Sequence, residues 1–177
     1  MAQAKKRKAR NNKASAAGQI SKENRTDSPL VADLQRQVAN AYVLYTNYKH
    51  YHWQTYGPLF RDLHLLFDEF AEAVLATSDE FAERVRMIGQ DPIFNPVAMV
   101  ERASVTVAGQ KGTMRDMIAE ADRNLLTVIG EMRAGVRLAD DSDDPGTADL
   151  FTRTVQIHEK HEWWLRDILE RRDGLTT

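Results

Sequence analysis

The sequence predicts an all-α protein, a four-helix bundle whose second and third helices are joined by a long crossover carrying a short extra helix. Three observations carry this. Apolar residues recur at helical spacing over four long stretches, and no stretch alternates in the manner of a strand. The link between the second and third stretches is far longer than the other two.

Each element has its own punctuation. Ser28-Pro29 supplies an N-cap and a proline in the first turn, and Leu34, Val38, Ala41, Leu44, Tyr45 and Tyr48 then keep helical spacing to about residue 56. Gly57-Pro58 closes that helix and opens the second, which carries Leu59, Leu63, Leu66, Phe70 and Val74 and runs to Gly89. Asp91-Pro92 and Asn95-Pro96 mark a linker in which Pro96–Arg102 forms the short extra helix, while residues 105–111 read as irregular. Thr113 with Asp116 resembles a capping box and opens a third helix to about Leu138. An acidic loop over residues 140–144 ends at Pro145, which starts a fourth helix to about Arg172, before Gly174. A crossover of this length after the second helix is of the ferritin-like kind. The domain reading is a disordered basic arm over 1–27, a bundle over 28–173 and a short tail over 174–177.

Composition narrows the chemistry. The 177 residues suit one domain and contain no cysteine, which excludes disulfides, thiolate metal sites and cysteine nucleophiles. A metal ion can be held only by His, Asp and Glu, a donor set that favours harder ions. No apolar run approaches the ~20 residues of a membrane span, and the basic N-terminus lacks the apolar core of a secretory signal. The expectation is therefore a bacterial cytoplasmic protein with no membrane partner. The net charge of −2 conceals an arm of +7 over residues 1–25, which leaves −9 on the remainder.

The second helix holds the chemically informative pattern. His64 with Asp68, and Asp79 with Glu83, are each spaced i, i+4 and so project from one face. The two pairs share nearly the same face, with centres ~22 Å apart at 1.5 Å per residue, too far for one dinuclear site. Their positions are palindromic about a midpoint between Ala73 and Val74. Two copies of the helix packed antiparallel about that midpoint set His64 and Asp68 of one copy against Asp79 and Glu83 of the other. Two identical metal sites then form at a two-fold interface, and a monomer has none. None of the five histidines has Glu three positions earlier, so the intrasubunit Glu-x-x-His di-iron arrangement is not expected.

His52-Trp53, Gly57, Phe60, Leu63-His64, Asp68, then Asp79 and Ala82-Glu83-Arg84 closely resemble the Dps proteins, mini-ferritins that bind DNA in starved cells. The resemblance covers residues 30–172, including the Trp-containing fourth helix. It implies a ferroxidase site between two-fold-related subunits, with His52, His64 and Asp68 from one and Asp79 and Glu83 from its mate. Glu83 is the strongest anionic, bridging ligand in that set. It further implies a hollow dodecamer that oxidises Fe(II), preferring hydrogen peroxide over oxygen, stores the ferric product and limits oxidative damage. Zn(II) or Mn(II) is compatible with the same donors. The rival reading is a nucleoid-compacting protein whose metal site is structural.

Other residues carry weaker expectations. Trp53 reads as packing beside the site, with electron donation as the alternative. His50 is about 200° around the helix from His52 and does not share its face. His158 and His161, spaced i, i+3 with Glu159 and Glu162 interleaved, read as an exposed face, and Trp163 and Trp164 as core or interface aromatics. The family commonly has an acid after the second-helix histidine, where this chain has Leu65, so mineral nucleation falls to Glu69, Glu72 or Glu80. The resemblance places acids near the start of the fourth helix in pores that steer Fe(II), which points to Asp140, Asp141, Asp143, Asp144 or Asp149. Lys5, Lys6, Arg7, Lys8, Arg10 and Lys13 form a sequence-independent phosphate-binding arm, multiplied by the shell and consistent with a nucleoid-associated protein.

Overall fold

The computed structural model describes residues 28–109 and 112–170. Five helices follow in order: α1 Pro29–Gln54, α2 Phe60–Met87, α3 Pro96–Arg102, α4 Met114–Asp141 and α5 Pro145–Leu169. The basic arm with Lys5, Lys6, Arg7, Lys8, Arg10 and Lys13, and the tail, lie outside the described residues. α1 packs chiefly on α2 and α4 chiefly on α5, while further contacts of α1 with α4 and of α2 with α5 close the bundle.

Buried residues recur at three- and four-residue spacing on each long helix. On α1 they include Leu34, Val38, Ala41, Leu44, Tyr48 and Tyr51, and on α2 Leu63, Phe67, Phe70, Val74, Phe81 and Val85. Tyr48, Tyr51, Phe67 and Phe70 form one aromatic cluster with ring centroids 5.3–6.4 Å apart. Burying each of the two phenylalanines stabilises the fold by roughly 1.5–3 kcal/mol. Gly57 sits at φ 82°, a left-handed backbone that a side chain disfavours, and so permits the tight turn from α1 into α2.

Helix ends differ from expectation by a few residues. α1 stops at Gln54, before Tyr56, and α2 starts at Phe60, after Gly57-Pro58. The Thr113–Asp116 capping box is present in full, with Thr113 Oγ1 accepting from the Asp116 amide. α4 continues three residues past Leu138, so Asp140 and Asp141 belong to its last turn rather than to a loop. Asp144 then caps α5, its carboxylate accepting from the Thr147 amide at 3.1 Å and the Thr147 hydroxyl at 2.7 Å.

The irregular part of the crossover is held by amide side chains. Asn40 Oδ1 accepts from the Ser104 amide at 2.8 Å, and Asn47 bonds both Thr106 O and the Ala108 amide at 2.8 Å. Asn124 bonds the amide and the carbonyl of Thr106, each at 2.9 Å. All three asparagines are buried. They give an extended segment the partners that a neighbouring strand would otherwise supply, so it can cross the bundle without orphaned backbone groups.

Candidate metal centre

Three of the five residues expected to bind metal come together where α1 meets the start of α2. His52 lies in the last turn of α1, and His64 and Asp68 lie in the first turns of α2. The imidazoles of His52 and His64 stack with centroids 3.6 Å apart and planes at 20°. His52 Nδ1 lies 2.7 Å from His64 O, and His64 Nδ1 lies 3.0 Å from His52 O. A carbonyl only accepts, so each Nδ1 carries the proton. With the proton on Nδ1, the other ring nitrogen, Nε2, is the one placed to offer a lone pair to a metal ion. The face of Phe60 stacks on His64 at 5.2 Å and limits how that ring turns.

Asp68 Oδ1 lies 4.0 Å from His52 Nδ1. Its nearest cation is Lys49, whose Nζ donates to Oδ1 at 2.5 Å. That hydrogen bond, with the lysine charge, holds the Asp68 carboxyl below the usual aspartate range against a smaller opposing effect of burial. Lys49 escaped the sequence reading, although its i, i+3 spacing to His52 puts the two on one face of α1.

Asp79 and Glu83 lie further along α2. Both are exposed, and neither has an ion pair or hydrogen bond among the described residues. They occupy the C-terminal half of the helix. His52, His64 and Asp68 are neighbours, yet among the described residues of a single chain no three His, Asp or Glu side chains are arranged to hold a metal ion between them. One chain thus presents two imidazoles and a carboxylate at one end of α2 and two unpaired carboxylates at the other. Between and beside them lie exposed apolar side chains: Phe60, Leu65 and Leu75 on α2, and Trp53, which is 68% exposed, on α1.

The remaining candidates divide. His50 turns away from the site as expected, with its Nε2 3.1 Å from Gly109 O. His158 and His161 correct the sequence reading: both are buried in the bundle, not on an exposed face. His161 stacks on Phe70 at 3.8 Å; of the interleaved acids, Glu159 pairs with Arg133 at the surface, while Glu162, its side chain only 13% exposed, pairs with Arg166. Trp163 is half exposed, whereas Trp164 is partly buried against the core.

Of the acidic residues, Asp140, Asp141 and Asp143 are exposed. Asp144 is engaged with Thr147 and with Arg84. Burial opposes its ionisation, but the Thr147 hydrogen bonds and the Arg84 guanidinium overcome this and hold its carboxyl below the usual range. Asp149 pairs with Arg153 at 3.0 Å, and Arg153 also reaches Glu80 at 2.8 Å.

Comparison with known proteins agrees with this architecture. The family model described as a ferritin-like domain matches residues 31–174. A DNA protection during starvation protein of Brevibacillus brevis is 36% identical over 137 residues, covering 77% of this chain and 92% of that protein. The solved Dps structure from Thermosynechococcus elongatus superposes with a TM-score of 0.81 at 47% identity, covering 84% of this chain and 94% of that one. The Vibrio cholerae Dps structure, described as a member of a broad superfamily of ferritin-like diiron-carboxylate proteins, superposes at 0.76 with 26% identity, covering 80% and 89%.

Proposed function

This chain belongs to the Dps family of ferritin-like proteins, and on that premise we propose that it is an iron-storing ferroxidase whose sites are shared between two copies. The observation that carries this reading is the division along α2. His52, His64 and Asp68 gather at one end, Asp79 and Glu83 stand unpaired at the other, and the two sets share a face about an internal midpoint. An antiparallel second copy brings the sets together twice. The exposed Trp53, Phe60, Leu65 and Leu75 supply apolar surface for that contact.

Iron is the substrate. Two Fe(II) ions each give one electron to a hydrogen peroxide molecule, whose O–O bond breaks to leave two hydroxides and two Fe(III). Consumption in pairs avoids the single-electron step that yields hydroxyl radical. In this reading the Nε2 atoms of His52 and His64, with Asp68, hold iron from one chain. Asp79 and Glu83 of the other bring the negative charge that favours Fe(III) over Fe(II). Zn(II) and Mn(II) compete for the same donors.

The ferric product is stored in a hollow dodecamer. Asp140, Asp141 and Asp143, which among the described residues lack the ion pairs that occupy Asp144 and Asp149, are the better candidates for a pore that attracts Fe(II). The basic arm over residues 1–27 binds DNA without reading sequence, and a cytoplasmic, nucleoid-associated location follows from that. No helix of the described residues is long and apolar enough to cross a membrane.

The test is anaerobic loading with Fe(II) followed by peroxide. Ferric absorbance is expected to rise with two Fe(II) consumed per peroxide, and no rise above a protein-free control refutes the reading. For the arm, gel shifts at two salt concentrations compare the full chain with one lacking residues 1–27. Equal binding by both removes its DNA role.

A further inference from the structure

A carboxylate that waits for a divalent cation has to be kept in place while empty, and Asp68 is not empty-handed. Lys49 stands one turn before His52 on the same face of α1, and its Nζ donates to Asp68 Oδ1 at 2.5 Å. At that distance the ammonium takes up acceptor capacity of Oδ1 that a metal ion would otherwise use. The two side chains are 25% and 38% exposed, so the lysine can leave toward water along its flexible stem. Neither imidazole compensates Asp68 in the same way. His52 Nδ1 is 4.0 Å from Oδ1 and already faces His64 O, and the Nδ1 of His64 faces His52 O.

We propose that Lys49 is a resident counter-cation of the metal site, which a divalent ion must displace from Asp68, so that this lysine sets how weakly the position holds metal before oxidation. The inference rests on the reading of His52, His64 and Asp68 as half of an iron site. The lysine keeps Asp68 charged and aimed while no ion is bound, and its displacement subtracts from the affinity of the ion that replaces it. A position loaded weakly in this way fills when Fe(II) is in excess and discriminates against monovalent cations, which gain too little from Asp68 to expel the ammonium.

The experiment is an anaerobic Zn(II) titration of the assembled, full-length protein by calorimetry, with K49M, K49Q and K49R beside the wild type. Zn(II) takes the same donors and undergoes no redox step. Removing the displaced hydrogen bond to a charged group is expected to tighten binding roughly tenfold in K49M and K49Q. K49R keeps the charge and binds no tighter than wild type. A purely structural lysine behaves otherwise: K49M and K49Q then lower the metal-free melting temperature and weaken Zn(II) binding together. Equal or weaker binding in either neutral variant, once shown to be assembled, overturns the proposal. The iron-site reading fails separately, if wild type and the His64→Ala/Asp68→Ala variant take up Zn(II) alike.

Discussion

The bundle contains two pairs of histidines, and they are built to opposite ends. His52 and His64 come from different helices, sit at the protein edge, and each satisfies Nδ1 on the other's backbone, which leaves Nε2 to act. His158 and His161 come from a single helix and are 1% and 3% exposed. Among the described residues, neither ring nitrogen of His158, nor Nδ1 of His161, meets a hydrogen-bond partner. Burial pushes His158 down to about 4. It also pushes His161 down to about 3, with help from the charges of His158 and Lys160. In the proposed function the first pair binds a cation, whereas burial of the second pair disfavours even a proton. An imidazole's role is set by what its nitrogens meet rather than by its presence in a helix.

The comparison can be broken most decisively at the first pair. The His64→Ala/Asp68→Ala variant is expected to oxidise Fe(II) no faster than a protein-free control while remaining assembled. So is Asp79→Asn/Glu83→Gln. Co-assembly of the two dead chains sharpens this further. In a mixed dimer one site draws His64 and Asp68 from one chain and Asp79 and Glu83 from the other, all intact. Random pairing thus restores about a quarter of the sites. Recovery of that activity on mixing, followed by stopped-flow absorbance, checks the sharing. Its absence breaks it.

The second pair is expected to show itself in acid. Its folded pKa values are depressed, so the unfolded chain binds more protons below about pH 6.5. The contribution to stability is whole above that value, declines as pH falls, and is lost once pH passes below about 4 for His158 and about 3 for His161. For His158 alone the gap corresponds to roughly 3 kcal/mol per subunit. His158→Leu is expected to melt close to wild type at pH 7 and above it at pH 5, with ferroxidase activity unchanged. Equal acid sensitivity of the two proteins, measured by denaturant midpoints at fixed subunit concentration, removes the account.

The smallest effect is expected from the ring that abuts the first pair. Phe60→Ala removes the stack on His64 and should weaken Zn(II) binding about threefold, in line with an aromatic contact of about 0.5–1.5 kcal/mol. No change means that the two backbone hydrogen bonds alone orient the imidazoles.

Much of the fold was legible because its signals are local. Asn95-Pro96 marks the short helix, where Asn95 Oδ1 does accept from the amides of Val97 and Ala98. Thr113 and Asp116 lie three residues apart, the reach of a capping box. The exposed-face reading of His158 and His161 failed because charge was weighed above register. Glu159 and Glu162 suggested a solvated surface, yet Phe151, Val155, His158, His161 and Leu165 continue one buried stripe at three- and four-residue steps. That signal was present in the sequence. Nothing comparable announces that Asn40, Asn47 and Asn124 tie down the crossover, since their partners are backbone atoms 18 to 64 residues away.

By itself, then, the sequence determined four amphipathic helices, the Thr113–Asp116 capping box, the missing thiols and the palindromic acids and histidine of α2, because each is read from residue identity and spacing within one helix. Only the tertiary structure decided which imidazole nitrogens are free, that Lys49 rests on Asp68, and that the α5 histidines are buried, His161 against Phe70. Those outcomes depend on which side chains of other helices arrive within a few ångströms, and on how far water is excluded when they do.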